Sequence, residues 1–218
     1  MARHVVLAIP AYSGTIHLGT MRSIVGDMTT LMKRGDRVSV DDESDNTDIA
    51  DARATMVAKF LEGDGDELVF VDNDVIWEAG ALVRLLDHPV ELVAGLYRKR
   101  VDPVSYPVRW IVSRPELRAE NGLLEVAGVP GGFTRCSRSM LEQMVRAYAD
   151  LTYDRRGRAI VGLFDAYRIG RAKLSEDFSF CQRWRDIGGK VWIDPEIRMT
   201  HVGLHGFTGH LGEWLRGR

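Results

Sequence analysis

The chain has 218 residues, of which 45% are hydrophobic and 28% are charged, an ordinary composition for one globular domain. Its formal net charge of −2 excludes a strong overall attraction to nucleic acid. No apolar run approaches the ~20 residues that a membrane helix needs, so we expect no membrane span. The apolar start is too short for a signal peptide and predicts a first strand. We therefore expect one domain over residues 1–218, located in the cytoplasm.

Charge is unevenly distributed along the chain. Residues 84–173 contain 16 Lys and Arg against 10 Asp and Glu, a balance of +6. The remaining residues contain 13 against 21, a balance of −8. A basic middle segment could face a polyanion, although such segments are more often solvated surface.

The first hundred residues predict alternating strands and helices. Compact apolar runs predict strands at 5–10, 37–40, 68–71 and 91–97. Helical spacing of apolar residues predicts helices over 18–34, from a cap at Thr47 to the glycines at 63 and 65, and over 79–87. The methionines of the first helix are expected in the core. This order predicts a mostly parallel α/β sheet with right-handed crossovers, flanked by helices.

The segment ELVFVDNDVIW, residues 67–77, contains the first candidate site. A buried strand ends in Asp72, Asn73 and Asp74, at the edge where α/β sheets bind ligands. On a continuing strand, residues i and i+2 point to the same side, so both carboxylates could bind one Mg²⁺ or Mn²⁺. The alternative is an acidic turn, since Asp and Asn are common turn residues.

Two earlier residues are candidates for contacts with a nucleotide. Tyr12 follows the first strand where it opens into a ligand crevice, so it could stack on a base or be a half-buried loop aromatic. Arg53 lies off the apolar face of its helix, near where a nucleotide would lie. The alternative for Arg53 is an ordinary surface residue.

After residue 97 the alternation ends. Asn121-Gly122 predicts the turn of an antiparallel hairpin. Gly131-Gly132 precede a predicted helix over 138–149. Adjacent glycines allow backbone to approach a ligand closely, although a tight turn is their commoner use.

A later helix, which Ser175 is predicted to cap, begins with Glu176 and Asp177. A helix N-terminus keeps a carboxylate ionised, which suits either a catalytic base or a simple cap of the helix dipole. A last strand is predicted at 190–195, followed by a glycine- and histidine-rich tail without core periodicity. His201 and His205 have the spacing of a zinc-binding helix, but the interleaved glycines make zinc a minor alternative.

These segments, in this order, resemble the GT-A type nucleotide-sugar glycosyltransferases, especially the small bacterial and phage or viral proteins of the family-2-like and Anp1-like kind. IPAY resembles the nucleotide-binding first loop, IADARATMVAKFLE a helix with an Ala-Arg-Asn element, and LVFVDNDVIW the DxD strand. VAGLYRKR is similar to the strand and loop beyond it. GGFTRCSR resembles the acceptor-side segment, and SEDFSFCQRWRDIGGKVWIDPEIRMTHVG the Glu-Asp helix followed by a metal-binding histidine.

The resemblance implies roles for single residues. The residues that would bind the nucleotide sugar are Pro10, Ala11, Tyr12, Arg53, Asp72 and Asn73. The protein ligands of Mn²⁺ or Mg²⁺ would be Asp72, Asp74 and His201. Asp177 would be the catalytic base, with Glu176 supporting it. A direct displacement inverts the anomeric carbon, while retention stays open as the alternative.

The resemblance also implies a division of the domain. Residues 1–100 would form the nucleotide-sugar-binding half, and residues 101–218 the acceptor-binding and catalytic half. The sequence departs from the family pattern at Ala54, Arg98 and His210, which puts nucleotide specificity and contacts of the tail in question.

We therefore expect a metal-dependent glycosyltransferase that uses a nucleoside-diphosphate sugar, with a UDP-sugar favoured. The acceptor would be a hydroxymethylated base in DNA or a surface glycan. A nucleotidyltransferase is the enzymatic alternative, but the basic glycine-rich loop that it needs is absent from IPAYSGTIHLG. A non-catalytic module that binds nucleotide or nucleic acid is favoured only by the basic middle segment.

Overall fold

A computed structural model describes residues 2–44, 46–111 and 117–217. Its strands are β1 (His4–Pro10), β2 (Arg37–Glu43), β3 (Glu67–Val71), β4 (Val75–Trp77), β5 (Leu92–Gly95), β6 (Ala119–Glu120), β7 (Leu123–Val126), β8 (Phe133–Ser137), β9 (Thr152–Arg155), β10 (Arg158–Val161), β11 (Arg168–Ile169), β12 (Ala172–Lys173), β13 (Val191–Asp194), β14 (Arg198–Val202) and β15 (Gly206–His210). Its helices are α1 (Leu18–Lys33), α2 (Ile49–Glu62), α3 (Ala81–Asp87), α4 (Arg138–Ala147), α5 (Glu176–Asp186) and α6 (Leu211–Leu215).

Eight strands form one sheet in the order β2-β1-β3-β8-β5-β13-β7-β6. Strands β8 and β7 run antiparallel to their neighbours, and the other six run in one direction. Small antiparallel sheets lie outside it: β9 with β10, β11 with β12, and β4 with β14 and β15. The expected α/β architecture, a mostly parallel sheet with flanking helices and an antiparallel hairpin region, is confirmed.

The central strand β3 explains why the sheet has a core on both faces. All five residues of β3 are buried. Leu68 and Phe70 pack into a cluster with α2, α4 and α5, while Val69 and Val71 pack into another with α1 and α3. Side chains alternate between the two faces of a strand, so a continuous apolar run is what a strand covered on both sides requires.

Strand β8 was not predicted, and it is the main difference in the sheet. Phe133–Ser137 lies between β3 and β5 and pairs antiparallel with both. Its Arg135 interrupts the apolar character that is typical of a buried central strand. In the fold, Arg135 Nη2 lies 2.5 Å from Glu67 Oε1, so a buried ion pair compensates the charge.

The first helix exposes apolar residues that were expected in the core. Ile24 and Leu31 are buried, but Met21 and Met32 are 40% and 61% exposed. The expectation is therefore wrong for these two methionines. Only the narrow stripe of α1 that faces the sheet and α3 contacts the core, and the rest of its apolar surface faces outward.

Local details of three other elements differ from expectation. The cap of α2 is Asp48, whose side chain accepts from the backbone N–H groups of Ala50 and Asp51, and not Thr47. Strand β2 continues through the acidic residues to Glu43 because its backbone pairs with β1. The tail forms β14 and β15, since backbone pairing with β4 does not require apolar periodicity.

The predicted hairpin at Asn121-Gly122 is confirmed, with both residues in the left-handed region that such turns use. Within the described ranges, no helix combines the length and the apolar character that crossing a bilayer requires.

Candidate functional site

The Asp72–Asp74 segment is a turn, so the expectation of a continuing strand is wrong here. Strand β3 ends at Val71, and the backbone N–H of Val75 donates to the carbonyl of Asp72 at 3.3 Å before β4 begins. The turn and a functional site are compatible, because both carboxylates lie at the carboxyl edge of the sheet. Asn73 fastens the turn to the first loop: its Nδ2 donates to the Thr15 carbonyl at 2.8 Å, and its carbonyl accepts from His17.

Arg53 lies at the centre of the site and is only 3% exposed. Its Nη2 donates to Asp72 Oδ1 at 3.0 Å. Its Nη1 contacts Asp177 and lies 3.3 Å from Glu176 Oε1. The surface alternative for Arg53 is therefore wrong: this cation joins the carboxylate at the end of β3 to the two carboxylates at the start of α5.

Tyr97 and His201 lie next to the turn that contains Asp72 and Asp74. The Tyr97 hydroxyl donates to Asp72 Oδ2 at 3.1 Å, and its ring lies 4.6 Å from that of His201. Burial and the charge of Asp72 raise the pKa of Tyr97 well above its ordinary value, so Tyr97 stays a hydrogen-bond donor. The pairing of β4 with β14 sets His201 opposite Val75, directly beside the turn.

The two aspartates contact arginine cations. Arg53 is bound to Asp72, and Arg100 contacts Asp74. His201 Nε2 lies 3.7 Å from Asp74 Oδ1. Among the residues that the structure describes, no three His, Cys, Asp or Glu side chains are grouped so as to hold a metal ion. The predicted metal triad is thus close together but not assembled, because each aspartate is turned toward a guanidinium.

The donor chemistry of Asp72, Asp74 and His201 nevertheless fits Mn²⁺ or Mg²⁺. Carboxylate oxygens suit both ions, and an imidazole nitrogen is accepted by the softer Mn²⁺. Burial, together with the nearby Arg100 cation, lowers the pKa of His201 and favours the neutral form that can ligate a metal. Binding of the ion would require Arg100 to leave Asp74.

Gly131 and Gly132 bring backbone against these side chains. A Cβ at Gly132 would lie 2.2 Å from Asp72 Oδ2, and one at Gly131 would lie 2.7 Å from Asp177 Oδ1. The Gly132 carbonyl also accepts from the backbone N–H of Asp72 at 2.9 Å. The close approach expected of adjacent glycines is therefore present, and it is to the carboxylates of the site itself.

The start of α5 positions the predicted base. Ser175 precedes the helix in extended conformation, but its side chain makes no capping hydrogen bond. Glu176 and Asp177 occupy the first turn, where the helix dipole favours negative charge. Their contacts with Arg53 show that they are more than a local cap.

A cleft of about 220 Å³ opens next to the first loop. Its lining residues are Ile9, Ala11, Gly14, Thr15, Ile16, Met21 and Asp42. Pro10 ends β1, and Ala11 is buried with its N–H donating to the Glu43 carbonyl at 3.1 Å. Tyr12 is 61% exposed, so it is not the half-buried aromatic of the alternative.

Three residues of this region were missed by sequence reasoning. Tyr97 and Arg100 contact the aspartates of the turn, and Asp42 lines the cleft. A signal existed for Asp42, because it lies at the carboxyl end of the second parallel strand. The sequence RKR does not show which of its two arginines contacts the site. Arg100 does so, whereas Arg98 lies over the Phe207 ring and contacts Asp102.

The histidines of the tail have different surroundings. His205 stacks on Phe207 in the turn after β14, so the helical spacing of a zinc site does not apply. His210 caps α6 through a hydrogen bond from the Glu213 N–H. Its departure from the family pattern therefore has a structural role.

No protein-family model matches the chain, and no curated protein matches it. Solved structures do. A197 from STIV superposes with a TM-score of 0.58 at 20% identity, covering 92% of this chain and 86% of that one. GalNAc-T7, solved with UDP, GalNAc and Mn²⁺, superposes with a TM-score of 0.54 at 10% identity. The match covers 92% of this chain and 43% of the GalNAc-T7 chain. The catalytic domain of Drosophila β1,4-galactosyltransferase 7 in complex with xylobiose superposes with a TM-score of 0.51 at 14% identity. The match covers 100% of this chain and 74% of that domain's chain.

At these identities the likeness is one of fold. The chain has the GT-A fold, a Rossmann-like α/β sheet with flanking helices and small antiparallel sheets. The named glycosyltransferases among the matched structures include one solved with manganese and UDP-Gal.

Proposed function

We propose that the chain is a metal-dependent glycosyltransferase that moves a sugar from a nucleoside-diphosphate sugar to an acceptor hydroxyl. One observation carries the proposal: buried Arg53 joins Asp72, at the end of β3, to Asp177, at the start of α5. A donor-binding carboxylate and a candidate base are thereby held at one edge of a GT-A sheet. That juxtaposition is what a displacement at a sugar carbon needs.

The donor would lie along residues 10–15 and 72–74. The ring of Tyr12 would stack on the base, and Asp42 would accept a hydrogen bond from it. At ring nitrogen N3 uracil presents an N–H donor where cytosine presents an acceptor, so a carboxylate facing that nitrogen favours a UDP-sugar over a CDP-sugar. Arg53 and Asn73 lie where the ribose and diphosphate would follow.

A divalent cation held by Asp72, Asp74 and His201 would supply positive charge to the diphosphate leaving group. The residues of the chain do the rest. Arg100, once released from Asp74 by the ion, would add a second positive charge beside the diphosphate. Arg53 and Tyr97 hold the Asp72 carboxylate in position from two sides.

Asp177 would take the proton from the acceptor hydroxyl. The acceptor oxygen then forms a bond to the anomeric carbon while the bond from that carbon to the diphosphate oxygen breaks. The nucleoside diphosphate leaves with the electron pair, and the anomeric carbon inverts. Glu176 would support Asp177 through their shared partner Arg53. In this scheme residues 1–100 bind the donor, and residues 101–218 contribute the base and the acceptor surface.

The test is release of nucleoside diphosphate from a panel of UDP- and GDP-sugars with Mn²⁺ or Mg²⁺. We expect release to depend on the metal and to be lost in Asp74→Ala. Release of pyrophosphate from a nucleoside triphosphate would identify a nucleotidyltransferase instead. If the chain binds nucleotide but turns over no donor, it is a non-catalytic nucleotide-binding module.

A further inference from the structure

Five cations of the basic segment 84–173 form ion pairs with acidic residues that lie outside it. Acidic residues outside the segment pair with them, as in Arg84 with Asp194 and Arg158 with Glu62. Arg100, Arg135 and Arg155 likewise pair with Asp74, Glu67 and Asp51. The net charge of the segment is therefore a poor guide to where positive potential remains on the surface.

The hairpin of β11 and β12, residues 168–173 and here called the basic hairpin, keeps its charge. Its sequence is RIGRAK, and Arg168 pairs directly across the hairpin with Lys173. Opposite residues of an antiparallel pair point to the same side, and like charges at such positions are destabilising. Arg171 lies in the turn between the strands, after Gly170 in the left-handed region.

No acid offsets this repulsion. In the part of the chain that the structure describes, Arg168, Arg171 and Lys173 have no ion pair within 4.0 Å and no side-chain hydrogen bond. All six residues of the hairpin are exposed. The chain thus presents three uncompensated cations within six residues at a local energetic cost.

The basic hairpin is fastened to the helix that carries the candidate base. The backbone N–H of Leu174 donates to the Tyr167 carbonyl at 2.9 Å, which closes the hairpin. The N–H of Tyr167 donates to Ser179 Oγ at 2.9 Å, within the second turn of α5. Asp177 is only four residues beyond Lys173. The hairpin therefore lies on the acceptor side of the proposed reaction.

We propose that the basic hairpin binds the phosphate backbone of a nucleic-acid acceptor; this rests on the proposed function and narrows its acceptor. Guanidinium forks match phosphate oxygens, and a nucleic-acid strand carries about one charge per 3.4 Å of its axis. Three cations in six residues match such closely spaced charges. A glycan with one carboxylate per sugar or fewer spaces its charges more widely. The cations would contact the phosphate backbone of the nucleic acid and not its bases, so they position the acceptor without selecting its sequence.

The test compares two triple variants that lose the same charge. Arg168→Ala/Arg171→Ala/Lys173→Ala removes the basic hairpin's cations, and Arg22→Ala/Lys33→Ala/Arg146→Ala removes three exposed cations from α1 and α4. Binding of an oligonucleotide that contains hydroxymethylcytosine is measured by fluorescence anisotropy at several salt concentrations. Unchanged thermal unfolding establishes that both variants are folded.

We expect only the hairpin variant to bind weakly. The slope of log K against log salt should fall in magnitude by about 2, since each neutralised phosphate of a single strand contributes roughly 0.7. Equal weakening in both variants, or no binding by the parent chain, would overturn the proposal. Tighter binding of a poly(polyol phosphate) or of an acidic glycan than of the oligonucleotide would overturn it as well.

Donor turnover separates this inference from the proposed function. The hairpin variant should still release nucleoside diphosphate by slow transfer to water, while transfer of labelled sugar to the oligonucleotide is lost. A parent chain that glycosylates saccharides but never the oligonucleotide refutes the inference and leaves the glycosyltransferase intact. A parent chain that binds the oligonucleotide but turns over no donor refutes the proposed function instead.

Discussion

Arg53 contacts the carboxylate of Asp177, although 124 residues separate the two in the sequence. The same guanidinium binds Asp72 at 3.0 Å. Arg53 is almost fully buried, and among the residues that the structure describes its charge is compensated by these two carboxylates and Glu176. Arg53 therefore links the carboxylate at the end of β3 to the carboxylates at the start of α5.

Replacing Arg53 by Met should therefore cost both stability and turnover. The change leaves carboxylates facing one another without their cation, and breaking such a pair costs roughly 3–5 kcal/mol. Urea unfolding measures the loss, and nucleoside diphosphate release measures the activity. Arg22→Met is the exposed control and should change the free energy of unfolding by less than about 0.5 kcal/mol. An Arg53→Met chain as stable as the parent would contradict the central role of the cation.

Asp177→Asn should slow transfer strongly while leaving the donor bound. Loss of a general base lowers the rate by roughly 10²- to 10⁴-fold. The amide keeps the size of the side chain and its place at the start of α5. Rates of transfer and the Kd for the donor, measured on the same preparation, separate chemistry from binding. Glu176→Gln should have the smaller effect on rate, and the reverse order would exchange the two roles.

Gly132→Ala should disable the site through one methyl group. The new Cβ would lie 2.2 Å from Asp72 Oδ2 and 2.6 Å from the Tyr97 hydroxyl, so both side chains must move. We expect a loss of at least tenfold in turnover. Gly26→Ala is the matched control, because a Cβ there meets nothing within 4 Å. On an exposed face of α1 it should stabilise the fold by about 0.5–1 kcal/mol without affecting turnover.

Asp42→Asn should relax the choice of base. If the carboxylate accepts the N–H of uracil, an amide can present either a donor or an acceptor to the base. The preference for UDP over CDP, measured by competition against donor turnover, should fall at least tenfold. Asp41→Asn on the neighbouring residue serves as the control. An unchanged preference would place the base outside the cleft that Asp42 lines.

Asp194 should control stability in acid through partners, Arg84 and His88, that are not part of the candidate site. Its side chain is fully buried and accepts from Arg84 Nη2 at 3.1 Å and contacts His88 Nε2 at 2.7 Å. Burial alone would raise the pKa of Asp194, but the hydrogen bonds from Arg84 and His88 lower it below its ordinary 3.8.

The folded state therefore favours the carboxylate, and this stabilisation is complete above the unfolded pKa and lost as pH falls below about 4. Asp194→Asn should unfold about 3 kcal/mol more easily at pH 7. Its stability should fall less steeply in acid than that of the parent. The exposed control Asp150→Asn should show the same dependence of unfolding free energy on pH as the parent. If all three chains lose stability in acid equally steeply, Asp194 is not the group that controls it.

Much of the fold was predictable because local patterns agree with it. The apolar run of β3 is buried on both faces, and the turn residues at Asn121-Gly122 form the expected hairpin. Strand β8 was hidden because its Arg135 is compensated by Glu67, a partner 68 residues away. Strands β14 and β15 were hidden because their pairing satisfies backbone groups and leaves little trace in side-chain periodicity.

By itself the sequence determined the α/β architecture, the acidic segment at the end of a buried strand and the acidic start of a late helix. These follow from apolar periodicity and capping, which act between near neighbours along the chain. Only the tertiary structure decided that Arg53 is buried between Asp72 and Asp177, and that Arg100 contacts Asp74. A buried charge is stable only where distant carboxylates converge on it, and that convergence depends on the order of strands in the sheet.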